Sequence, residues 1–550
     1  MDENKLNKLL SYGDYEIDLT EPEKDAIIDA LDRAKIIDPA CGSGAFPMGI
    51  LHKMLLILQK IDPQSKKWLS RKLARIDNEI LRKELEKKLR TENWDYVHKL
   101  GIIQNSIYGV DIQPIAVEIS KLRFFLSLIV DEKIDDDKPN RGVVPLPNLE
   151  FKFVAANSLI GLPLTSSLSQ MELFEARDYI NRLKELRDAY FTSYGEEKNK
   201  IEQQFQQIQN KMFEYAHKEM VTHKKTLETQ TLKLSEWNPF ADEASSWFDP
   251  EWMFGIRTLS PFEKGYNSNV PPLEKGGKGG FDIVIANPPY VRQEAIKDIK
   301  PHLAKEFGSF YCGTADIYTY FYRKGIDLLK SGGHLCFIAP NKFMRAGYGK
   351  NTRKLLATEV RPKVVIDFCD LPIFDATTYP SIVLVEKTPF VGAALCGRPD
   401  IINDQCLKPG QPHRVAPTKN EFLAATFTDA AQLERMEETL SNIGFPMTIS
   451  SLKEEGWNLE RPEVLALIEK LRKAGTPLGE YVHGRFYRGI LTGLNEAFVI
   501  DEATRKRLVS EDPKGEELIK PWLRGRDIKK WKAEWAGLYV ISIPSSSNRH

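Results

Sequence analysis

The sequence predicts an α/β fold built on a doubly wound, mostly parallel Rossmann-like sheet. Between residues 35 and 387, short apolar runs enriched in Val, Ile and Phe alternate with stretches of helical periodicity. This alternation is typical of βαβ units whose helices cover both faces of one sheet. The predicted strands are Lys35–Pro39, Ser106–Asp111, Phe151–Ala155, Phe281–Ala286, Gly333–Ala339, Lys363–Phe368 and Ser381–Glu386. The clearest helical patterns are Gly49–Gln59, Pro114–Val130 and Asp316–Leu329.

Helical insertions interrupt this pattern at about 64–100 and 160–236. The second insertion contains a predicted helical hairpin over 171–217, whose apolar residues recur at three- and four-residue spacing. We interpret the hairpin as a structural arm, with a partner-binding coiled coil as the alternative. A stretch at about 260–280 is rich in Pro, Gly and Lys, and it predicts a flexible loop.

Two domains are expected, over 1–445 and 446–550. An irregular connection at about 389–420, rich in Gly, Pro and polar residues, lies before the boundary. The second domain has aromatic and β-branched residues with Gly punctuation, which predicts an α+β fold. Residues 483–550 hold 13 Lys+Arg against 9 Asp+Glu, and the run at 522–532 (WLRGRDIKKWK) carries most of the excess. Taken alone, such a run indicates a charged, solvated face.

Composition restricts the class of protein. With 42% hydrophobic and 28% charged residues, neither disorder nor a membrane class is indicated, and no apolar run is long enough for a transmembrane helix. The polar N-terminus lacks the pattern of a signal peptide. The six cysteines form no CxxC pair or Cys/His cluster, so we expect a cytoplasmic protein without a structural metal. A net charge of zero leaves nucleic acid open as a partner, because phosphate contacts need only a local basic surface.

The tetrapeptide Asn287-Pro288-Pro289-Tyr290 is the most informative motif. It follows the strand Phe281–Ala286, and open α/β sheets place their active sites at the carboxyl ends of strands. Two successive prolines hold a rigid loop without amide donors. The loop therefore offers carbonyl acceptors, an Asn side chain and an aromatic face, a set that suits an aromatic ring with an exocyclic amine. The alternative is a Pro-rich turn that ends a strand.

A Gly-rich turn follows the first predicted strand. Gly42 and Gly44 allow the backbone to bend sharply and to approach a ligand closely. The dinucleotide fingerprint GxGxxG fails here at its third glycine, Pro47, so a nucleoside without phosphates is more plausible than a dinucleotide. Asp38, just before the turn, could contact an ammonium group. An ordinary turn is the alternative.

Polar residues also follow the next two strands. Asp111 ends the second strand, where carboxylates chelate ribose hydroxyls in nucleotide-binding sheets. It could instead cap the helix that begins at Pro114. Asn157 follows the third strand and could hydrogen-bond an adenine edge, or it could be an ordinary turn asparagine.

Taken in order, the segments DPACGSGAF, YGVDI, NSL and NPPY resemble the amino-methyltransferases that methylate adenine in DNA. The nearest likeness is to the TaqI-like and Type IIG restriction–modification enzymes. The resemblance implies a methyltransferase sheet and S-adenosyl-L-methionine as cofactor. It assigns the cofactor pocket to Asp38, Ala40, Gly42, Gly44, Asp111 (ribose), Ile112 and Asn157 (adenine). Phe374 would pack on the extruded target base from the face opposite Tyr290.

The implied chemistry follows from the acceptors in the NPPY loop. The Asn287 side-chain oxygen and the Pro288 carbonyl can accept the two hydrogens of the adenine N6 amine. The nitrogen lone pair then becomes localised and can attack the sulfonium methyl group, without a covalent enzyme adduct or a metal. Because the amine is buried in duplex DNA, the base must be flipped out, and stacking on Tyr290 and Phe374 offsets part of that cost.

Later segments extend the resemblance. GLNEAF at 493–498 and LRGRD at 523–527 are similar to the target-recognition domain of the same enzymes, which implies double-stranded DNA as partner. The hairpin over 171–217 would then flank the DNA. Only 37 residues precede Asp38, without the family's Tyr-Thr-Pro-like segment or a nuclease, so we expect a fragment whose nuclease lies outside this chain. The alternatives are methylation of an RNA base or a protein glutamine amide, and a catalytically impaired DNA-binding fragment.

Overall fold

A computed structural model describes residues 3–13, 15–73, 94–131, 136–137, 141, 148–162, 170–190, 193, 196–223, 230–258, 279–374, 378–388, 420–485 and 495–542 of the 550-residue chain. Contacts divide the chain into two compact units, Met1–Pro462 and Glu463–His550. The predicted loop at 260–280, the connection at 389–420 and the middle of the insertion at 64–100 lie almost entirely outside the described residues.

The first unit is organised by a nine-stranded sheet. Its strands are β1 Ile36–Asp38, β2 Ile107–Asp111, β3 Phe153–Ala155, β4 Phe281–Ala286, β5 Leu329–Pro340, β6 Val360–Asp367, β7 Pro380–Lys387, β8 Glu421–Thr426 and β9 Phe445–Thr448. All seven predicted strands are confirmed, while β8 and β9 are additions. The spatial order is β3-β2-β1-β4-β5-β7-β6-β8-β9.

Strand direction determines where a site can form. Strands β1 to β5 are mutually parallel, so the residues that follow them lie along one edge. The order of strands reverses between β1 and β4, and this is the position where open α/β sheets bind ligands. Strand β7 runs antiparallel to both of its neighbours, β5 and β6. The predicted doubly wound, mostly parallel sheet is confirmed.

Helices connect the strands of the first unit. They are α1 Glu3–Leu10, α2 Glu21–Arg33, α3 Ala45–Ile61, α4 Lys66–Leu73, α5 Trp94–Asn105, α6 Pro114–Ile129, α7 Gln170–Tyr190, α8 Glu196–His223, α9 Gln230–Glu236, α10 Pro250–Phe254, α11 Lys300–Phe307, α12 Tyr318–Leu328, α13 Lys350–Thr358 and α14 Met436–Ile443. The three helical patterns predicted between strands correspond to α3, α6 and α12. Helices α7 and α8 are the arms of the predicted hairpin.

A buried histidine lies in the core between α4 and α5. His98 is fully buried, and its ring makes an edge contact with Trp68 at 6.1 Å between centroids. Neither ring nitrogen has a hydrogen-bond partner among the described residues. Burial lowers the pKa of His98 to about 4, against an opposing effect of Asp62 and Asp95. The folded protein therefore holds this ring neutral.

We expect His98 to make the protein acid-sensitive. Because its pKa is depressed on folding, the unfolded chain binds the extra proton first, and stability falls as the pH drops from 6.5 towards 4. The loss should reach about 3 kcal/mol. Denaturant unfolding at pH 7 and pH 4.5 would show a smaller drop for His98→Phe than for the unaltered chain. Equal drops in the two proteins would contradict the assignment.

The boundary between the units lies later than the predicted 445/446. Strand β9, over Phe445–Thr448, pairs antiparallel with β8 and so belongs to the large sheet. Trp457 also packs on Phe343 with ring centroids 5.6 Å apart, and its backbone N–H donates to the Met344 carbonyl at 2.8 Å. Residues up to Pro462 are thus part of the first unit.

The second unit is small and of mixed α and β structure. Its helices are α15 Pro462–Ala474, α16 Leu478–Tyr481, α17 Asn495–Phe498 and α18 Glu502–Glu511, and its strands are β10 Val499–Asp501, β11 Ile519–Pro521, β12 Ile528–Lys529, β13 Lys532–Ala533 and β14 Leu538–Ile541. Strands β10, β14 and β11 form one sheet, and β12 and β13 form a separate hairpin. Across both units, no helix in the described part of the chain is long and apolar enough to span a membrane.

Candidate active site at the carboxyl edge of the sheet

The turn after β1 is shaped by two glycines with positive φ. Gly42 has φ 53° and Gly44 has φ 82°, and Gly44 immediately precedes α3. A Cβ on Gly44 would lie 2.9 Å from the Ser120 hydroxyl of α6, which donates to the Gly42 carbonyl at 2.9 Å. The turn is thus packed against α6, and only glycine fits at position 44.

Replacing Gly44 with alanine should destabilise the protein by about 1–3 kcal/mol, because both the left-handed backbone and the Ser120 contact oppose a side chain. Gly49→Ala is the matched control. Gly49 is exposed inside α3, and no described atom lies within 4 Å of the position that a Cβ would take. The change should therefore stabilise the helix by about 0.5–1 kcal/mol. Denaturant unfolding measures the free energy of unfolding of both variants. Unchanged stability of Gly44→Ala would refute the packing of this turn against α6.

Asp111 connects the turns after β1 and β2. One carboxylate oxygen accepts from the Gly42 N–H at 2.9 Å, and the other accepts from the Gln113 N–H at 2.9 Å, just before α6. This is a local turn to the residue before the helix, and the predicted helix-capping alternative is wrong, since no side chain caps the start of α6. The neighbouring Ile112 is 58% exposed. An exposed apolar side chain beside a carboxylate is suited to a nucleoside, whose base can pack on the apolar group while its ribose hydroxyls donate to the carboxylate.

Asp38 is a buried carboxyl without a counter-charge. It is 2% exposed, and it accepts from the Ala40 N–H at 2.9 Å. No Lys, Arg or His of the described residues forms an ion pair with it. Burial raises the pKa of Asp38 to about 8, assisted by the nearby charge of Asp111 and opposed by the Ala40 hydrogen bond. A cationic ligand group at this position would stabilise the ionised form of this carboxyl.

Asn157 forms a local turn after β3. Its side-chain oxygen accepts from the Leu159 N–H at 3.2 Å, and its backbone N–H donates to the Ser245 carbonyl at 2.8 Å. This is the turn geometry that the sequence allowed as an alternative. An adenine contact from Asn157 stays a prediction.

The NPPY loop begins where β4 ends. The Asn287 side-chain oxygen is buried and has no hydrogen-bond partner among the described residues. Pro288 is buried and Pro289 is exposed. The Tyr290 hydroxyl donates to the Ile338 carbonyl at 3.4 Å, and burial raises the pKa of this tyrosine. An unsatisfied buried acceptor costs about 1–3 kcal/mol, so Asn287 carries a free-energy cost that a donor group on a ligand would remove.

Phe374 contacts Tyr290 directly, whereas the resemblance places a base between the two rings. The two ring centroids are 6.2 Å apart with the planes inclined at 66°, an edge-to-face contact. The predicted packing of a base between two facing rings requires at least one ring to rotate and separate from the other. The role of Phe374 therefore stays a prediction.

Two carboxylates to which the sequence analysis assigned no role hold the loops around this site. Asp367 ends β6 and accepts from Asn341 Nδ2 at 2.7 Å and from the Cys369 N–H at 2.9 Å. Cys369 has φ 49°, an unusual value for a residue other than glycine, and it leads into the segment of Phe374. Asp316 accepts from the Gln293 N–H at 3.1 Å, just after the NPPY loop. Asp367 lies near the end of the predicted strand Lys363–Phe368, and Asp316 begins the predicted helix Asp316–Leu329, so these positions were the available signal.

Long segments of this sequence are similar to known restriction–modification proteins. Residues 105–374 match the sequence profile of the family described as Eco57I restriction-modification methylase. A putative type II restriction enzyme and methyltransferase from Methanocaldococcus jannaschii is 27% identical over 410 residues, which are 66% of this chain and 31% of that protein. The type II methyltransferase M.PaeR7I from Pseudomonas aeruginosa is 30% identical over 50% of this chain and 42% of its own length. M.BstVI from Geobacillus stearothermophilus is 24% identical over 48% and 44%. The matches thus span less than half the length of each relative.

Proposed function

Since the chain carries a domain of the Eco57I restriction-modification methylase family over residues 105–374, we propose that it is a site-specific methyltransferase acting on the N6 amine of adenine in double-stranded DNA. The observation that carries the proposal is the buried, unpaired Asn287 oxygen in the NPPY loop, which has no partner among the described residues. It lies at the end of β4, beside the turn after β1 and at the point where the strand order reverses. An acceptor in that position is suited to a substrate amine.

The residues of the turns fit S-adenosyl-L-methionine as cofactor. Asp38, buried without a counter-charge among the described residues, would hold its ammonium group, and Asp111 would hold the ribose hydroxyls. The exposed Ile112 side chain would pack on the adenine ring. Gly42 and Gly44 would line the pocket with backbone, and Ala40 with backbone and one methyl group. When bound, the cofactor supplies an electrophilic methyl group on a sulfonium centre.

The chain's own contribution is to bind and orient the substrate amine. Asn287 Oδ1 and the Pro288 carbonyl would each accept one amine hydrogen, which draws the nitrogen lone pair out of conjugation with the ring. Pro289 keeps the loop rigid, and Tyr290 would stack on the base after it leaves the duplex. The rate enhancement then comes from positioning and from acceptors that need no reorganisation.

A restriction activity would belong to another part of the system. The Methanocaldococcus relative is named as both restriction enzyme and methyltransferase, and the present chain matches 31% of it. We propose that a nuclease domain or subunit outside residues 1–550 supplies cleavage.

Methyl transfer from labelled S-adenosyl-L-methionine tests the proposal directly. The purified chain is incubated with duplex DNA, structured RNA and cellular protein as separate acceptors, and sequencing of DNA from expressing cells locates modified adenines. We expect label in DNA alone, at adenines within a short recurring sequence. Label in RNA or protein would overturn the choice of acceptor, and calorimetry that shows no cofactor binding would overturn the enzyme assignment.

A further inference from the structure

The second unit presents an exposed aromatic residue on a hairpin rich in lysine. Strands β12 and β13 pair in the register Ile528 with Ala533 and Lys529 with Lys532. The tip is Lys530-Trp531, and Trp531 is 94% exposed, far more than Trp535 at 48%. An indole left almost wholly in water has an apolar surface that nothing in the described part of the chain covers.

The backbone of the tip is unusual. Trp531 has φ 65°, in the left-handed region that bulky residues rarely adopt. Such a conformation is unfavourable by about 1–3 kcal/mol and persists only where the surroundings fix it. In this hairpin it directs the largest side chain outward at the turn.

The base of the hairpin is fixed by a buried carboxylate. Asp527 is 6% exposed and accepts from the Arg524 N–H at 2.9 Å, from its Nε at 2.9 Å and from its Nη2 at 2.8 Å. These bonds lower the pKa of Asp527 to about 2. The Asp527 carbonyl also accepts from the Glu534 N–H at 2.7 Å, across the hairpin. Two-stranded hairpins are marginal alone, so this clamp explains why the ribbon can project from the unit.

Charge indicates what the hairpin contacts. Lys529, Lys530 and Lys532 surround Trp531, and all three are exposed. Asp527 pairs with Arg524, and Glu534 pairs with Lys532 at 3.2 Å, so Lys529 and Lys530 carry the unpaired positive charge of the hairpin among the described residues. An apolar partner would gain nothing from three lysines, whereas a polyanion with aromatic rings would match both features.

We infer that the β12–β13 hairpin is a DNA-contacting element, in which Trp531 packs on base edges or a base step in a groove and the lysines lie at phosphates. The inference rests on the proposed function, and it assigns part of the DNA contact to a named ribbon. A two-stranded ribbon fits the major groove, and apolar side chains that wedge into base steps are a known mode of contact in the minor groove. The clamp at Asp527 gives the ribbon the rigidity that such a contact needs.

Trp531→Ala in the full chain tests the inference by DNA binding. Anisotropy with labelled duplex fragments should show affinity at least about tenfold weaker than that of the unaltered chain. Tyr481→Ala is the matched control, because Tyr481 is also aromatic and 74% exposed in the same unit, and its affinity should not change. Lys530→Gln should reduce the slope of log affinity against log salt by about 1.

The outcomes separate the hairpin from the enzyme. Because Trp531 is almost fully exposed, its removal should leave the unfolding curve and cofactor binding unchanged. If Trp531→Ala binds and methylates DNA like the unaltered chain, the inference is overturned and the proposed function stands. If the unaltered chain binds DNA through Trp531 but transfers no methyl group, the proposed function fails and the inference stands. If Tyr481→Ala weakens binding as much as Trp531→Ala, the assignment to the hairpin is overturned.

Discussion

Asn287→Ala is expected to lower the rate of methyl transfer by at least about a hundredfold, with little change in the affinity for cofactor. The Asn287 oxygen is buried and has no partner among the described residues, so its interaction with a substrate amine would be made in a site without competing donors. Removing one preorganised polar group from such a site typically costs a factor of about 10²–10³ in kcat. Single-turnover transfer to DNA, with both substrates saturating, measures the step itself.

The stability of this variant gives a second, independent readout. Deleting an unsatisfied buried acceptor removes a cost of about 1–3 kcal/mol, which offsets the packing lost with the side chain. We therefore expect Asn287→Ala to unfold at nearly the same denaturant concentration as the unaltered chain. Asn351→Ala is the matched control, because Asn351 Nδ2 donates to the Phe310 carbonyl at 2.9 Å in the same unit. That variant should lose stability and keep its rate per folded molecule. Full activity of Asn287→Ala would refute the role of the loop.

Asp38→Asn is expected to make the free protein more stable at pH 7 while weakening cofactor binding by at least about tenfold. The pKa of Asp38 is raised to about 8 by burial, so between pH 4 and pH 8 the folded state binds a proton that the unfolded state has released. Stability therefore falls as the pH rises through this window. Asn cannot ionise and keeps an acceptor for the Ala40 N–H. Its gain at pH 7 should be up to about 4 kcal/mol.

Denaturant unfolding at pH 5 and pH 7.5 tests the stability arm. The difference between Asp38→Asn and the unaltered chain should grow with pH, and a constant difference would rule out the raised pKa. This comparison also cancels the contribution of His98, which has the opposite sign and acts mainly below pH 6.5. Titration with S-adenosyl-L-methionine in buffers of different ionisation enthalpy tests the binding arm. Binding of the cofactor near pH 7 should release a proton from Asp38, because the cationic group of the cofactor stabilises the ionised carboxylate. Binding to Asp38→Asn should release no proton.

Much of the sheet could be predicted because its central strands are buried on both faces. Runs such as Phe281–Ala286 carry Val, Ile and Phe with little polar interruption, and the observed β4 has the same bounds. The edge strand β9 was missed because it is short and contains Pro446, which normally argues against a strand. Because β9 was missed, the predicted domain boundary at 445/446 lies before this strand instead of after it. Sequence gives no direct signal for pairing between β8 and β9.

The sequence predicts which residues of the candidate site lie at the edge of the sheet. It does not predict how their side chains are oriented or hydrogen-bonded. Asn287 follows β4 and Asp111 ends β2, so their place at the sheet edge follows from the fold. The unpaired state of Asn287 and the inclined rings of Tyr290 and Phe374 depend on packing from distant segments. For the same reason the support given by Asp367 could not be foreseen, since Asn341 and Cys369 reach it from separate loops.

The antiparallel direction of β7 has a consequence for how target preference can change. Asp367 at the end of β6 pairs with Ser381 at the start of β7, so both ends of the connection that carries Phe374 are fixed at the same edge of the sheet. A connection anchored in this way can change in sequence or length without shifting the register of either strand. New side chains could therefore be tried beside the NPPY loop while the scaffold stays constant. Libraries restricted to 370–379 are the place to look for altered target preference while the turn after β1 stays intact.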